Sequence, residues 1–133
     1  MIFVDSNVVI DLIEDGEWTP WSKRMLSDSR VALVANLIVF AEVARTFPSA
    51  DAVGIFLHEL GIGLDPITPT IAYQAGHANV AYRLAGGRHK AILADFMIGA
   101  HAAALGATLV TRDRRRFATY LPDLPLITPE THP

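Results

Sequence analysis

The chain of 133 residues contains no cysteine. This absence excludes a disulfide framework and a thiolate metal site, and it is typical of proteins from a reducing compartment. Long apolar runs are also missing, because the longest charge-free candidate, residues 96–111, is interrupted by Gly, Thr and His. It falls short of the roughly 18 apolar residues that a membrane helix requires. The chain starts without a basic segment, unlike a signal peptide, so we expect a cytoplasmic protein with no membrane span.

Hydrophobic residues make up 51% of the sequence, and the mean hydropathy is +0.31. A chain of this length is expected to form a single domain over residues 1–133, with a core of its own. The apolar content is high for a monomer. We therefore expect part of the apolar surface to contact another protein chain.

An overall basic charge is absent too, since the formal net charge is −3. The charges are nevertheless unevenly distributed. Seven of the eleven basic residues fall within residues 83–116, where the only acids are Asp95 and Asp113. Four acids, Asp11, Glu14, Asp15 and Glu17, form an opposite cluster near the start. The spacing of the acidic cluster predicts a solvated helix face or turn.

Short apolar runs alternate with longer helical patterns along the chain. Strands are predicted at 2–4, 31–34, 63–65, 108–111 and 124–127, the last as an edge strand because it contains a proline. Helices are predicted at about 8–13, 18–29, 37–47, 50–61, 69–85, 90–105 and 113–119. This alternation predicts an α/β fold with a mainly parallel sheet of four to five short strands.

Four acids are attached to segments that otherwise look like core. Asp95 interrupts the run AILADFMIGA, Glu42 is the only charge in VALVANLIVFAEVA, Asp5 ends Ile-Phe-Val, and Asp113 follows Thr-Leu-Val-Thr. A carboxylate in apolar surroundings costs several kcal/mol unless it is paired. Ligands of parallel sheets collect beyond the carboxyl ends of the strands. The four acids are therefore interpreted as sharing a cation at that edge.

Simpler interpretations exist for each acid. Asp5 and Asp113 could be helix N-caps, Glu42 could pair with Arg45, and Asp95 could pair with Arg88 or Lys90. None of these pairings explains why all four acids occur in core-like segments, whereas a common cation does.

Carboxylate oxygens without Cys or His ligands suit one or two Mg²⁺ or Mn²⁺ ions. The histidines show no HExxH spacing, and His101, in an alanine-rich segment, is predicted to be a core or interface residue. The sequence also lacks GxSxG, a Walker P-loop, and GxGxxG after a strand.

The chain resembles the PIN-domain ribonucleases, and more narrowly the VapC-type toxins of toxin–antitoxin pairs. Four pieces carry the resemblance from residue 2 to about 127: residues 4–8 (VDSNV), 36–43 (NLIVFAEV), 94–102 (ADFMIGAHA) with Gly106, and 109–117 (LVTRDRRRF). One position departs from the pattern. Val39 stands where many relatives carry Ser or Thr, so no hydroxyl role is assigned there.

The resemblance implies a three-layer α/β/α fold and Mg²⁺- or Mn²⁺-dependent cleavage of single-stranded RNA. The implied catalytic and metal residues are Asp5, Glu42, Asp95 and Asp113. It also implies that Asn7 and Thr111 orient these acids or the substrate, that the protein dimerises, and that a small antitoxin protein covers the site.

We hypothesise hydrolysis of an RNA phosphodiester, with Asp5 and Asp95 as main ligands, Glu42 and Asp113 completing the coordination, and flanking phosphates held by Arg112, Arg114, Arg115 and Arg116. Three alternatives remain open at this point. They are a nuclease for structured RNA or DNA flaps, a phosphoacceptor signalling domain with an acidic Mg²⁺ pocket, and a non-catalytic binding module. The phosphoacceptor reading would want an acid beside Asp5 and a lysine after Lys90, and the chain has neither.

Overall fold

A computed structural model describes residues 1–28, 30–88 and 92–133. Its strands are β1 (Ile2–Val4), β2 (Leu33–Ala35), β3 (Ile62–Leu64), β4 (Thr108–Val110) and β5 (Leu126–Ile127). Its helices are α1 (Ser6–Ile13), α2 (Thr19–Met25), α3 (Leu37–Val43), α4 (Ala50–Glu59), α5 (Pro69–Leu84), α6 (Ile92–Ala104) and α7 (Arg114–Tyr120). A 3₁₀ turn, Ala44–Thr46, follows α3.

The five strands form one sheet in the order β3-β2-β1-β4-β5, and every neighbouring pair is parallel. The predicted α/β fold with a parallel sheet of short strands is confirmed, and β5 is an edge strand as expected. Strand β2 begins two residues later than predicted. The run from Val31 to Ala35 is apolar throughout, so its composition does not reveal the register.

The strand order places a topological switch between β1 and β4. From β1 the chain moves one way to β2 and β3, and it then returns past β1 to β4 and β5. Because parallel crossovers are right-handed, the helices up to α4 lie on one side of the sheet and the helices from α5 onward lie on the other, where α5 packs mainly on α6. The crevice at the carboxyl ends of β1 and β4 is the position where such sheets bind ligands.

Helix starts follow the sequence signals. The side chains of Asn36, Ser49 and Thr68 accept backbone N–H bonds at the starts of α3, α4 and α5. The largest apolar cluster includes Phe3, Leu57 and Leu109 and surrounds the sheet. A smaller cluster lies where α5 packs on α6.

Within residues 1–28, 30–88 and 92–133, no helix is long and apolar enough to cross a membrane. Two predicted helix ends lie outside the described residues, one at Ser29 and one at residues 89–91.

Candidate metal centre

Asp5 lies at the carboxyl end of β1, at the switch point of the sheet. Its backbone N–H donates to the carbonyl of Val110 on β4 at 3.1 Å, and only 4% of the residue is exposed. Its carboxylate accepts bonds from the Thr111 hydroxyl at 2.7 Å and from the Ser6 N–H at 2.8 Å. No Lys, Arg or His among residues 1–28, 30–88 and 92–133 forms an ion pair with it.

The other three predicted acids come from three different helix segments. Glu42 lies on α3 and is exposed, Asp95 lies in the first turn of α6 and is largely buried, and Asp113 precedes α7 and is partly exposed. We expected Asp95 in mid-helix. An acid in the first turn faces the positive end of the helix dipole, which makes its charge less costly.

The four carboxylates interact electrostatically, since the charge of one acid raises the pKa of another. The pKa of Asp5 is raised from 3.8 to about 6, mainly by burial, and the charge of Asp95 contributes to this rise. Burial likewise raises the pKa of Asp95 to about 6, with Glu42 and Asp113 adding repulsion. The pKa of Glu42 is raised by the partial burial of its carboxyl group and by the charge of Asp5, although the residue as a whole is exposed. The structure therefore brings all four acids into one electrostatic cluster.

Arg116 enters this cluster from α7. Its Nη1 lies 2.9 Å from Asp95 Oδ2, and its Nε lies 3.3 Å from Asp113 Oδ2. The charge of Arg116 lowers the pKa of Asp95, opposing the larger effect of burial. The sequence placed Arg116 with its neighbours as a phosphate contact, whereas the structure shows a guanidinium bridging two acids.

Small polar groups organise the acids around Asp5. The Thr111 hydroxyl donates to Asp5, accepts from the Asp113 N–H at 3.0 Å and accepts from Asn7 Nδ2 at 3.3 Å. Ser6 hydrogen-bonds Glu42, which lowers the pKa of that carboxyl. The sequence singled out Asn7 and Thr111 but missed Ser6, although its place beside Asp5 was a signal that could have identified it.

Arg112 forms an ion pair outside the cluster of four acids. Its Nε donates to Asp11 Oδ2 at 2.8 Å, its guanidinium lies 5.7 Å from the Trp18 ring centre, and Asp11 also accepts from the Ser22 hydroxyl. The prediction that Asp11 belongs to a solvated face is wrong, since only 8% of the residue is exposed. The other three acids of that cluster are exposed as predicted.

Arg114 and Arg115 remain on the surface beside the acids. Both are exposed at the start of α7. With Ala118, Thr119 and Glu130 they line an open depression of about 440 Å³. A depression of similar size, about 430 Å³, lies between Gly106 and Pro125 at the opposite edge of the sheet. It is lined mainly by apolar residues and by none of the four acids, so it is not the candidate site.

The simpler interpretations of the acids have mixed outcomes. Asp5 and Asp113 do cap α1 and α7, so capping and clustering coexist in the same residues. Arg45 pairs with Glu14 at 3.6 Å instead of Glu42. Asp95 pairs with Arg116 and not with the suggested Arg88, and the suggested Lys90 lies outside the described residues. His101 is fully buried, as expected of a core residue.

Gly99 on α6 lies against the side chains of Phe117 and Leu121, near the end of α7. A Cβ there would overlap the flexible end of Leu121 and press on the Phe117 ring. The small residue therefore leaves room for these side chains beside the ion pair of Arg116 with Asp95.

The donor set fits a hard divalent cation in chemistry. It consists of carboxylate oxygens, and no ion pair within the described part of the chain neutralises the buried Asp5, so a cation would relieve the cost of its ionised form. As placed, no three His, Asp or Glu side chains of the described residues are close enough to hold one ion. Binding would require side-chain rotation and displacement of Arg116 from Asp95 or Asp113.

The sequence matches the PIN domain family model over residues 2–120. The chain belongs to the PIN domain family. None of the curated proteins shows significant sequence similarity to it. Membership of the PIN domain family argues against the alternative that the chain is a phosphoacceptor signalling domain.

Several solved structures share the fold. A toxin–antitoxin complex from Klebsiella pneumoniae is 24% identical with a TM-score of 0.72, over 97% of this chain and 98% of that one. VapBC2 from Rickettsia felis, bound to a promoter DNA fragment, is 19% identical with a TM-score of 0.71, over 96% and 98%. VapC20 from Mycobacterium tuberculosis, a toxin that cleaves the sarcin-ricin loop, is 19% identical with a TM-score of 0.68, over 90% and 95%.

Proposed function

We propose that this protein is a divalent-metal-dependent endoribonuclease that cleaves single-stranded RNA as the toxin of a toxin–antitoxin pair. The observation that carries the proposal is the buried Asp5. It lies at the switch point of the sheet with no ion-pairing partner in the described residues, and it is electrostatically coupled to Asp95 and, through further acids, to the whole cluster.

The catalytic and metal-binding residues of the proposal are Asp5, Asp95, Glu42 and Asp113. A bound Mg²⁺ or Mn²⁺ would supply an activated water and stabilise negative charge on the phosphoryl oxygens. Asp5 and Asp95 would hold it, with Glu42 and Asp113 completing the oxygen set. Thr111 and Asn7 keep the Asp5 carboxylate and the Asp113 backbone in place.

The substrate would meet a basic rim beside this acidic centre. Arg114 and Arg115 directly follow Asp113, are exposed at the start of α7 and line a surface depression, so they can contact flanking phosphates. Arg112 contributes mainly by fixing the loop before α7, because its Nε is bound to Asp11.

A protein partner and self-association are part of the same proposal. Structures of the same fold include toxin–antitoxin complexes, which supports an antitoxin for this chain. Large apolar side chains are exposed on several helices, among them Leu84, Tyr73 and Ile55. Such a surface supports a homodimer, an antitoxin interface, or both.

The proposal is tested by RNA cleavage and metal binding with the Asp95→Asn variant. Wild type is expected to cleave a fluorescent single-stranded RNA with Mg²⁺ or Mn²⁺ and to stop in EDTA. Loss of one electrostatic contact to the reacting groups predicts about 10²- to 10³-fold lower activity for the variant. Asp123→Asn, an exposed acid far from the cluster, is the matched control. Full activity of Asp95→Asn, or no Mn²⁺ binding by wild type in calorimetry, contradicts the proposal and favours a non-catalytic binding module.

A further inference from the structure

A second polar cluster lies beside the acids, at the carboxyl ends of β2 and β3. It contains Asn36, which follows β2, Asp65, which follows β3, and His101 on α6. Asn36 and His101 are both fully buried, and Asp65 is partly exposed. Buried polar side chains are tolerated only where their hydrogen bonds are satisfied. Here every bond can be traced.

Asn36 joins the two helices that carry Glu42 and Asp95. Its Oδ1 accepts from the N–H groups of Ile38 and Val39, at 3.0 and 3.2 Å, and so caps α3. Its Nδ2 donates to the Met97 carbonyl on α6 at 3.2 Å. One side chain therefore sets the start of α3 against the first half of α6.

His101 holds Asn36 in this orientation. Its Nδ1 lies 3.1 Å from Asn36 Nδ2, and its Nε2 lies 2.7 Å from Asp65 Oδ2. Since Asn36 Oδ1 already faces two backbone donors, its Nδ2 must face the ring, and Nδ1 must accept. The proton is then on Nε2, which donates to Asp65. A donor at Nδ1 would instead favour a flipped amide and break the α3 cap.

We propose that His101 is a positioning residue of the acidic site. It acts through Asn36, which fixes α3 relative to α6 and thereby the placement of Glu42 relative to Asp95. The inference rests on the proposed function, because the placement of these two acids matters for a cation that both help to bind. Groups that orient metal ligands from outside the ligand shell commonly affect metal affinity.

A matched pair of variants separates positioning from stability. Asn at position 101 can place an acceptor where Nδ1 lies, and Gln can place a donor where Nε2 lies. We therefore expect His101→Asn to keep the bond to Asn36 and His101→Gln to lose it. Mn²⁺ affinity, measured by calorimetry without RNA, should fall about tenfold in His101→Gln and stay near wild type in His101→Asn. Val53→Ala, a buried core change on α4, controls for lost stability alone.

Each outcome decides a different question. Equal Mn²⁺ affinity in both variants, whether retained or reduced, overturns the positioning role. A wild type that binds no Mn²⁺ overturns the proposed function, and the inference falls with it. Nitrogen-15 spectra of the wild-type imidazole give a test that no folding defect can obscure. A proton on Nε2 of His101 supports the inference, and a proton on Nδ1 overturns it.

Discussion

Asp5 and Asp11, two buried aspartates at the start and in the last turn of α1, have different partners. Asp11 accepts from Arg112 and Ser22 and forms a closed ion pair at the end of α1. Asp5, at the start of α1, has hydroxyl and backbone donors but no ion-pairing partner among residues 1–28, 30–88 and 92–133. A paired buried carboxylate stabilises the local structure, whereas an unpaired one near three further acids is suited to receive a cation from outside.

The largest expected effect is a difference in Mn²⁺ affinity between variants of the two aspartates. Asp5→Asn should weaken Mn²⁺ binding by more than about a hundredfold, since even groups outside the ligand shell contribute 10- to 100-fold. Asp11→Asn should leave Mn²⁺ affinity unchanged. It should lower the free energy of unfolding by about 1–3 kcal/mol, because Arg112 loses its carboxylate. Calorimetry and urea unfolding of both variants measure these effects. Equal loss of Mn²⁺ affinity would remove the distinction.

The next effect concerns the stability of the metal-free protein as a function of pH. Because the pKa of Asp5 is raised from 3.8 to about 6 in the folded state, the folded protein keeps a proton that the unfolded chain has lost. The contribution of Asp5 to the free energy of unfolding is therefore highest below about pH 4 and falls as the pH rises through about 6.

Asp5→Asn should thus be more stable than wild type at pH 7.5, by up to about 3 kcal/mol. This advantage should become small at pH 4, where folded Asp5 is protonated and the unfolded chain, with a pKa of 3.8, is close to its own titration midpoint. Urea unfolding in EDTA at the two pH values gives the difference between the two proteins and so isolates Asp5 from other titrating groups. A difference that does not change with pH contradicts the assignment.

A smaller effect is expected from Arg116, the internal cation that bridges Asp95 and Asp113. Arg116→Gln should raise Mn²⁺ affinity about three- to tenfold, since a partly exposed charge that competes for both carboxylates is removed. Arg115→Gln, on the exposed side of α7, is the control. Weaker Mn²⁺ binding in Arg116→Gln would mean that the arginine organises the acids instead of competing with a metal.

The smallest effect is expected at the basic rim. In an Asp95→Asn background, replacing Arg114 and Arg115 by Gln should reduce the salt dependence of single-stranded RNA binding. The slope of log affinity against log salt should shrink by about 1.4, from about 0.7 for each lost phosphate contact. Lys23→Gln with Arg83→Gln, two exposed charges elsewhere, is the matched control. An equal slope change in the control would assign the effect to overall charge.

The contrast between Asp5 and Asp11 also marks the limit of what the sequence could predict. The carboxyl ends of parallel strands lie at the same end of a sheet. The acids that follow β1 and β4 could therefore be placed together from the order of the apolar runs alone. The partner of Asp11 could not, because Arg112 lies about a hundred residues away and reaches it only through the pairing of β1 with β4.

Two further contacts were not predicted because they also depend on tertiary structure. Arg116 sits in a run of three arginines that sequence cannot tell apart, yet the helical turn from Asp113 directs only this one to Asp95. The buried network around His101 joins residues from two strand ends and a helix. Its imidazole could be predicted as core, but its partners could not, since they are set by tertiary packing.

Gly99 shows how a residue without charge can influence the charged site. A Cβ there would overlap the flexible end of Leu121 and would press on the Phe117 ring. Phe117 directly follows Arg116 on α7, so a larger side chain at position 99 is expected to shift the guanidinium that bridges Asp95 and Asp113. The spacing of the charges is therefore sensitive to the size of an apolar contact outside the acid cluster.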